Sequence, residues 1–169
     1  MKYMPLLILC LCAGSPAAAV TDAPSGAFSF TVEMLIDSDV PTVWDAATGD
    51  ISGWWDHSMS PQPHAMYVEA KPGGAFMEIF DENGDGVRHA VVTYVKQHEI
   101  LRYEGPLGLA GHALHMVTTW SFVNEEGGGT RVVVEVHAAG EVHGGWPEVI
   151  EKTWGHFLGQ LKTYVETAD

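Results

Sequence analysis

The stretch DISGWWDHSMSPQPH, Asp50 to His64, sets two adjacent tryptophans beside acids and histidines. Asp56, His57 and His64 carry donor types that bind divalent ions, since imidazole and carboxylate suit zinc and copper. Their spacing matches no closed site, however, and Pro61 and Pro63 stiffen the loop between the histidines. No metal is assigned. The other reading is bulk: Trp54 plugs the core, while Trp55 shields a seam or closes the mouth of an apolar cavity, offering area plus one N–H.

Glu78 is the other group with chemical reach. It shares parity with Phe76 and Phe80 in AFMEIF, so either a carboxylate points inward or two phenylalanines point outward. An inward Glu78 would suit a general base, and a β-bulge would turn it to solvent. The run DENGDG begins like a calcium loop, with Asp81, Asn83, Asp85 and Gly86 in ligand positions. Val92 stands where the bidentate glutamate belongs, so a hairpin turn is expected instead. No cofactor is expected and no catalytic residue is assigned.

The elements that must position these groups follow from periodicity. FSFTVEMLID alternates, with Phe30, Val32, Met34 and Ile36 on one face, and predicts a half-buried strand. SDVPTVWDAA predicts a short helix with Asp39 as N-cap and Pro41 in its first turn. DISGWW predicts a second helical turn. MYVEA, AFMEIF, VRHAVVTYV, ILRYEG, LHMVTTWSFV and TRVVVEVHA predict six more strands, most joined by short turns. In the last segment, Trp146, Val149, Ile150, Trp154, Phe157, Leu158, Leu161, Tyr164 and Val165 recur at steps of three and four, which predicts one long helix. Strands grouped between helices imply an α+β domain with helices on one face of a mainly antiparallel sheet. A twisted sheet and a straight helix diverge at their ends, and such gaps hold ligands.

Residues 1–19 have a different character. Lys2, the apolar run PLLILCLCA and the small residues Ala17 and Ala19 have the layout of a cleavable signal peptide. A secreted or periplasmic protein is expected, with no membrane anchor after cleavage at Ala19. Leu9 and Leu11 precede the two cysteines, where a lipoprotein signal needs a small residue. Residues 20–27 are expected to form a flexible leader and residues 28–169 a single domain. The 150 residues left of 169 contain no cysteine, so the core alone must hold the fold. Loss of Lys2 turns the formal charge of −14 into −15, a surface that repels phosphate backbones and excludes nucleic-acid binding.

Five segments in order carry a family resemblance: VPTVWDAATG with WW shortly after, EAKPGGAFME, VKQHEILRYEGPLG, WSFVNEEGGGTRVVVEV and GWPEVIEKTWGHFLGQLKTYVE. From about Phe28 to Glu166 the chain resembles the START-like or SRPBCC superfamily. Within it, the chain is most similar to homologues of the heat-shock protein 90 ATPase activator C-terminal domain and to polyketide cyclase/dehydrase-like proteins. The resemblance implies a helix-grip fold: a curved sheet of about seven strands wrapped around the long C-terminal helix, with two short helices after the first strand. Superfamily members bind lipids, hormones or polyketides, and some catalyse cyclisation, but fold alone does not carry chemistry.

The expected function is an exported binding protein for a small hydrophobic or amphipathic molecule held between the last helix and the sheet. Its expected wall comprises Trp55, Phe76, Glu78, Tyr94, Tyr103, Leu107, Met116, Trp120, Trp154 and Phe157. Met and aromatic residues suit adaptable apolar surfaces, and Tyr103 or Glu78 would orient the guest. The alternatives are a cyclase/dehydrase-like enzyme using Glu78, and a protein-interaction adaptor of the chaperone-activator kind. An exported chain would not meet that cytosolic chaperone.

Overall fold

The alternation in the first segment produces strand β1 (Ser25–Ile36) in the computed structural model, which describes residues 22–167. The expected signal peptide lies outside these residues. Ser25–Ala27, read from the sequence as leader, belong to the strand because they pair with Glu141, Gly140 and Ala139.

Helix α1 (Val40–Ala47) starts as expected: the Asp39 carboxylate accepts the Thr42 N–H at 2.9 Å. The expected second helix does not form. Gly49, at φ +67°, turns the chain into the two-residue strand β2 (Gly49–Asp50), which pairs with Tyr67 and Val68. One turn remains of the helix, in which the Trp54 and Trp55 N–H groups both donate to the Ile51 carbonyl. Strands β3 (Ala65–Val68), β4 (Ala75–Ile79), β5 (Gly86–Lys96) and β6 (Ile100–Glu104) follow. A short 3-10 turn, Leu107–Leu109, leads to β7 (Leu114–Asn124), β8 (Thr130–Glu141) and helix α2 (Trp146–Thr167).

The strands form one antiparallel sheet in the order β1-β8-β7-β6-β5-β4-β3-β2. It has eight strands, one more than the periodicity indicates, and the extra is β2. Alternate residues of β3, β4, β6, β7 and β8 are buried on the face that carries α2, including Met116, Trp120 and Phe122 of β7 and Val132, Val134 and Val136 of β8. From α2, Trp154, Phe157, Leu158, Leu161 and Val165 meet them. Val149 and Tyr164, expected on the same stripe, are exposed. No helix among the described residues is long and apolar enough to cross a membrane.

Two irregularities in β5 decide which side chains face inward. The register with β4 shifts between Phe76 and Met77, so Ala90 faces Phe76, Arg88 faces Met77, and His89 is the extra residue. His89 and Ala90 are consequently both buried, where simple alternation allows only one. The register with β6 shifts again between Val92 and Tyr94. Across the first bulge, the backbone of His89 and Ala90 lies so close to Gly105 that a Cβ there would collide with the His89 carbonyl oxygen. Glycine is the residue that admits this approach.

Candidate functional site

The site is built around a carboxylate that nothing in solution reaches. Glu78 on β4 is fully buried. Its Oε1 accepts the Ser60 N–H at 2.7 Å, and its Oε2 accepts the Met59 N–H at 3.0 Å. Oε2 also lies 2.9 Å from Nε2 of His89, which the bulge has turned inward. Burial pushes the Glu78 carboxyl up, but the two backbone donors and the imidazole outweigh it and hold the group below its ordinary range. Glu78 is therefore an anion with both oxygens occupied. It anchors the loop after the tryptophan pair and orients His89.

A carboxylate only accepts, so His89 Nε2 carries the proton. Its other nitrogen, Nδ1, is the one buried side-chain polar atom without a hydrogen-bond partner among the described residues. Buried polar groups are rarely left so. His89 lines a compartment of about 360 Å³ with Asp56, His57, Ser58, Met59 and Gly108. A second compartment of about 250 Å³ shares His57 and Gly108, and is otherwise almost wholly apolar. Its roof is Pro106, Leu107 and Leu109, its floor is Met116, and its helical wall runs through Val149, Ile150, Thr153, Trp154 and Phe157. Leu107 is buried at φ +51°, a conformation that costs a bulky residue about 1 kcal/mol and that places its side chain beneath the loop. A larger, open depression of about 450 Å³ lies over β1, β8 and β7, but its Ser29, His115 and His137 are exposed.

Of the expected wall, Leu107, Met116, Trp154 and Phe157 meet in the apolar compartment. Trp55 stands one layer deeper, stacked on Phe157 at 4.0 Å and edge-on to Phe76 at 5.0 Å, with its Nε1–H donating to the His57 carbonyl at 2.7 Å. Phe76, Tyr103 and Trp120 are core residues. The Tyr103 hydroxyl accepts from Trp120 Nε1 at 3.0 Å, and burial raises its pKa well above the usual phenol range. Trp54 is tied to α1 through the Ala46 carbonyl at 2.8 Å. Tyr94 is a correction: it is 44% exposed, because the second bulge of β5 reverses its parity.

His64 immediately precedes β3, its N–H donating to the Ile79 carbonyl, and is not part of the cluster around Asp56. His156 of α2 takes its place, with Nε2 2.6 Å from Asp56 Oδ2, while His57 Nδ1 lies 2.8 Å from Oδ1. His89, Met59 and Ser60 escaped the sequence reading. Nothing in the local pattern marks the bulge that turns His89 inward.

A long helix laid across one face of an open antiparallel sheet, with a loop-roofed cleft beside its first turns, defines a helix-grip protein of the SRPBCC or START-like superfamily. The chain belongs to the family of Activator of Hsp90 ATPase homolog 1-like proteins, whose sequence profile matches residues 37–166. Among solved structures, it is similar to an uncharacterized protein from Rhizobium leguminosarum (TM-score 0.68, 16% identity, 86% of this chain and 99% of that one). A protein of unknown function from Staphylococcus aureus is also similar (TM-score 0.64, 14% identity, 85% and 96%). The di-domain ARO/CYC protein BexL of the BE-7585A biosynthetic pathway aligns at TM-score 0.55 and 19% identity, over 85% of this chain and 51% of that one. At such identities the likeness is one of fold. No curated protein matches the sequence significantly.

Proposed function

We propose that this chain binds a small amphipathic molecule in the cleft between α2 and the sheet. The apolar body rests against Leu107, Met116, Ile150, Trp154 and Phe157, and a polar end reaches His89. The observation that carries this reading is the unpartnered, buried Nδ1 of His89, a residue that lines the compartment adjoining an apolar one. A guest with a hydroxyl at one end would supply the missing donor. Removal of the body from water contributes about 25 cal/mol per Å².

The Glu78–His89 pair supports a second reading, an acid–base enzyme, and the likeness to an ARO/CYC protein points the same way. In that reading His89 is the proton acceptor, because Glu78 is already engaged on both oxygens. The two readings separate when the molecule extracted from native protein is returned to stripped protein. Recovery unchanged supports a carrier, and recovery with an altered mass supports an enzyme. An adaptor role has less support, since Leu35, Met59, Tyr94 and Val123 are exposed on separate elements.

The proposal includes export, which rests on the sequence of residues 1–19. A mature chain that begins elsewhere than Val20, or that stays with the cytosolic fraction, would remove that part.

Gly108 offers the direct test of the cleft. It lines both compartments, and a Cβ built on it meets nothing within 4 Å. Gly108→Phe is expected to leave the unfolding curve unchanged and to weaken binding of the uncharged probe N-phenyl-1-naphthylamine by about tenfold, by occupying apolar wall area. An uncharged probe avoids repulsion by the formal charge of −14. Equal affinity in the variant would place the probe, and the proposed site, elsewhere.

A further inference from the structure

A second cluster lies on the far side of the loop that roofs the cleft. Glu141 ends β8, and two imidazoles converge on a single one of its oxygens. His112 Nδ1 is 3.0 Å from Oε1, and His143 Nε2 is 2.7 Å from the same atom. Oε2 accepts the Ala113 N–H at 3.2 Å, which fixes the rotation of the carboxylate. Trp146 stands edge-on to His112 at 5.0 Å and tilted against His143 at 4.6 Å, so an indole borders both rings, which remain partly open to solvent. The three donor atoms lie within 4.8 Å of one another.

We infer that His112, Glu141 and His143 form a binding site for one borderline divalent ion, zinc foremost, which leaves a fourth coordination position to water. Two imidazole nitrogens and one carboxylate oxygen are a three-ligand zinc set. Calcium and magnesium prefer all-oxygen cages, so the donor chemistry selects against them. Ligand atoms around tetrahedral zinc sit roughly 3.3 Å apart, given bonds of about 2.0–2.1 Å. The observed 2.7 and 3.0 Å separations therefore need to open by roughly 0.6 and 0.3 Å, and the two imidazole nitrogens, already within 4.8 Å of each other, settle at the same spacing. Any proton on a facing nitrogen leaves as the ion binds.

The Asp56, His57 and His156 cluster has the same donor types but not this arrangement. Its histidines take different oxygens of Asp56, and its carboxylate is 41% exposed against 18% for Glu141. It therefore serves as the internal control. The inference stands apart from whatever fills the cleft, although an ion here would fasten His112, three residues past the Leu107–Leu109 roof, to the end of β8.

The test uses the purified full-length product, freed of metal and titrated with zinc chloride, with calcium and magnesium in parallel. One zinc per chain, a rise in melting temperature, and a tetrahedral visible spectrum on replacing zinc by cobalt(II) are expected. His112→Ala and His143→Ala are each expected to lower zinc affinity about tenfold or more, with circular dichroism of the metal-free variants matching the parent. The double variant His57→Ala/His156→Ala is expected to bind as the parent does. No stoichiometric zinc in the parent overturns the inference. So does unchanged affinity in both single variants, or loss of binding in the double variant.

Discussion

Glu78→Ala is expected to lower the free energy of unfolding by about 3–5 kcal/mol, measured by urea denaturation at neutral pH. The carboxylate satisfies three donors at once: the N–H groups of Met59 and Ser60 and Nε2 of His89. Alanine leaves all three unpaired beside a fully buried position. The loop from Ser58 to Pro61 loses its tether, and amide exchange there should quicken as well. A loss below about 1 kcal/mol would mean that water replaces the carboxylate freely, and the anchoring role of Glu78 would fall.

The same group sets a pH dependence. The folded Glu78 carboxyl sits below its ordinary value of 4.5, with the backbone donors and His89 prevailing over burial. Its contribution is thus complete above about pH 4.5 and is lost as pH falls through the lower folded value. Across that acid range the parent should lose more stability than Glu78→Ala does.

Trp154→Ala should rank beside it, at about 3–5 kcal/mol. Trp154 is 1% exposed and meets Trp55, Trp120 and Phe157 at ring separations of 6.2, 5.7 and 5.5 Å. Trp120 is held by β7, Phe157 by α2 and Trp55 by its hydrogen bond to the His57 carbonyl, so the void closes only in part. For a domain of this size the melting temperature should fall by roughly 10–15 °C. Val149→Ser, one turn and a half earlier on the same helix but 61% exposed, should stay within about 0.5 kcal/mol. Equal effects at the two positions would contradict the buried stripe assigned to α2.

These cases show what periodicity reveals. The stripe through Trp154, Phe157, Leu158 and Leu161 is legible because a helix repeats every 3.6 residues whatever lies around it. Leu114, Met116, Trp120 and Phe122 are legible because β7 runs without a bulge. Tyr94 and His89 are not, since both sit on β5, where one inserted residue flips every parity beyond it. The inward course of Glu78 is one of two that its parity allowed. Its partners Met59 and Ser60 arrive through backbone N–H groups, which carry no side-chain signature. His156 meets Asp56 across 100 positions of chain, and no local pattern encodes that meeting.

The pairing of β1 with β8 sets an order on folding. Ser25 is opposite Glu141 and Ile36 is opposite Thr130, so the strand made first has its only neighbour in the one made last. Loop closure over more than ninety residues has to precede that ladder, and such non-local topology folds slowly. On the ribosome, the first strand waits exposed and unpaired until almost the whole chain has been synthesised. A nascent chain in that state is one that chaperones or a translocation channel can still grasp as an extended thread.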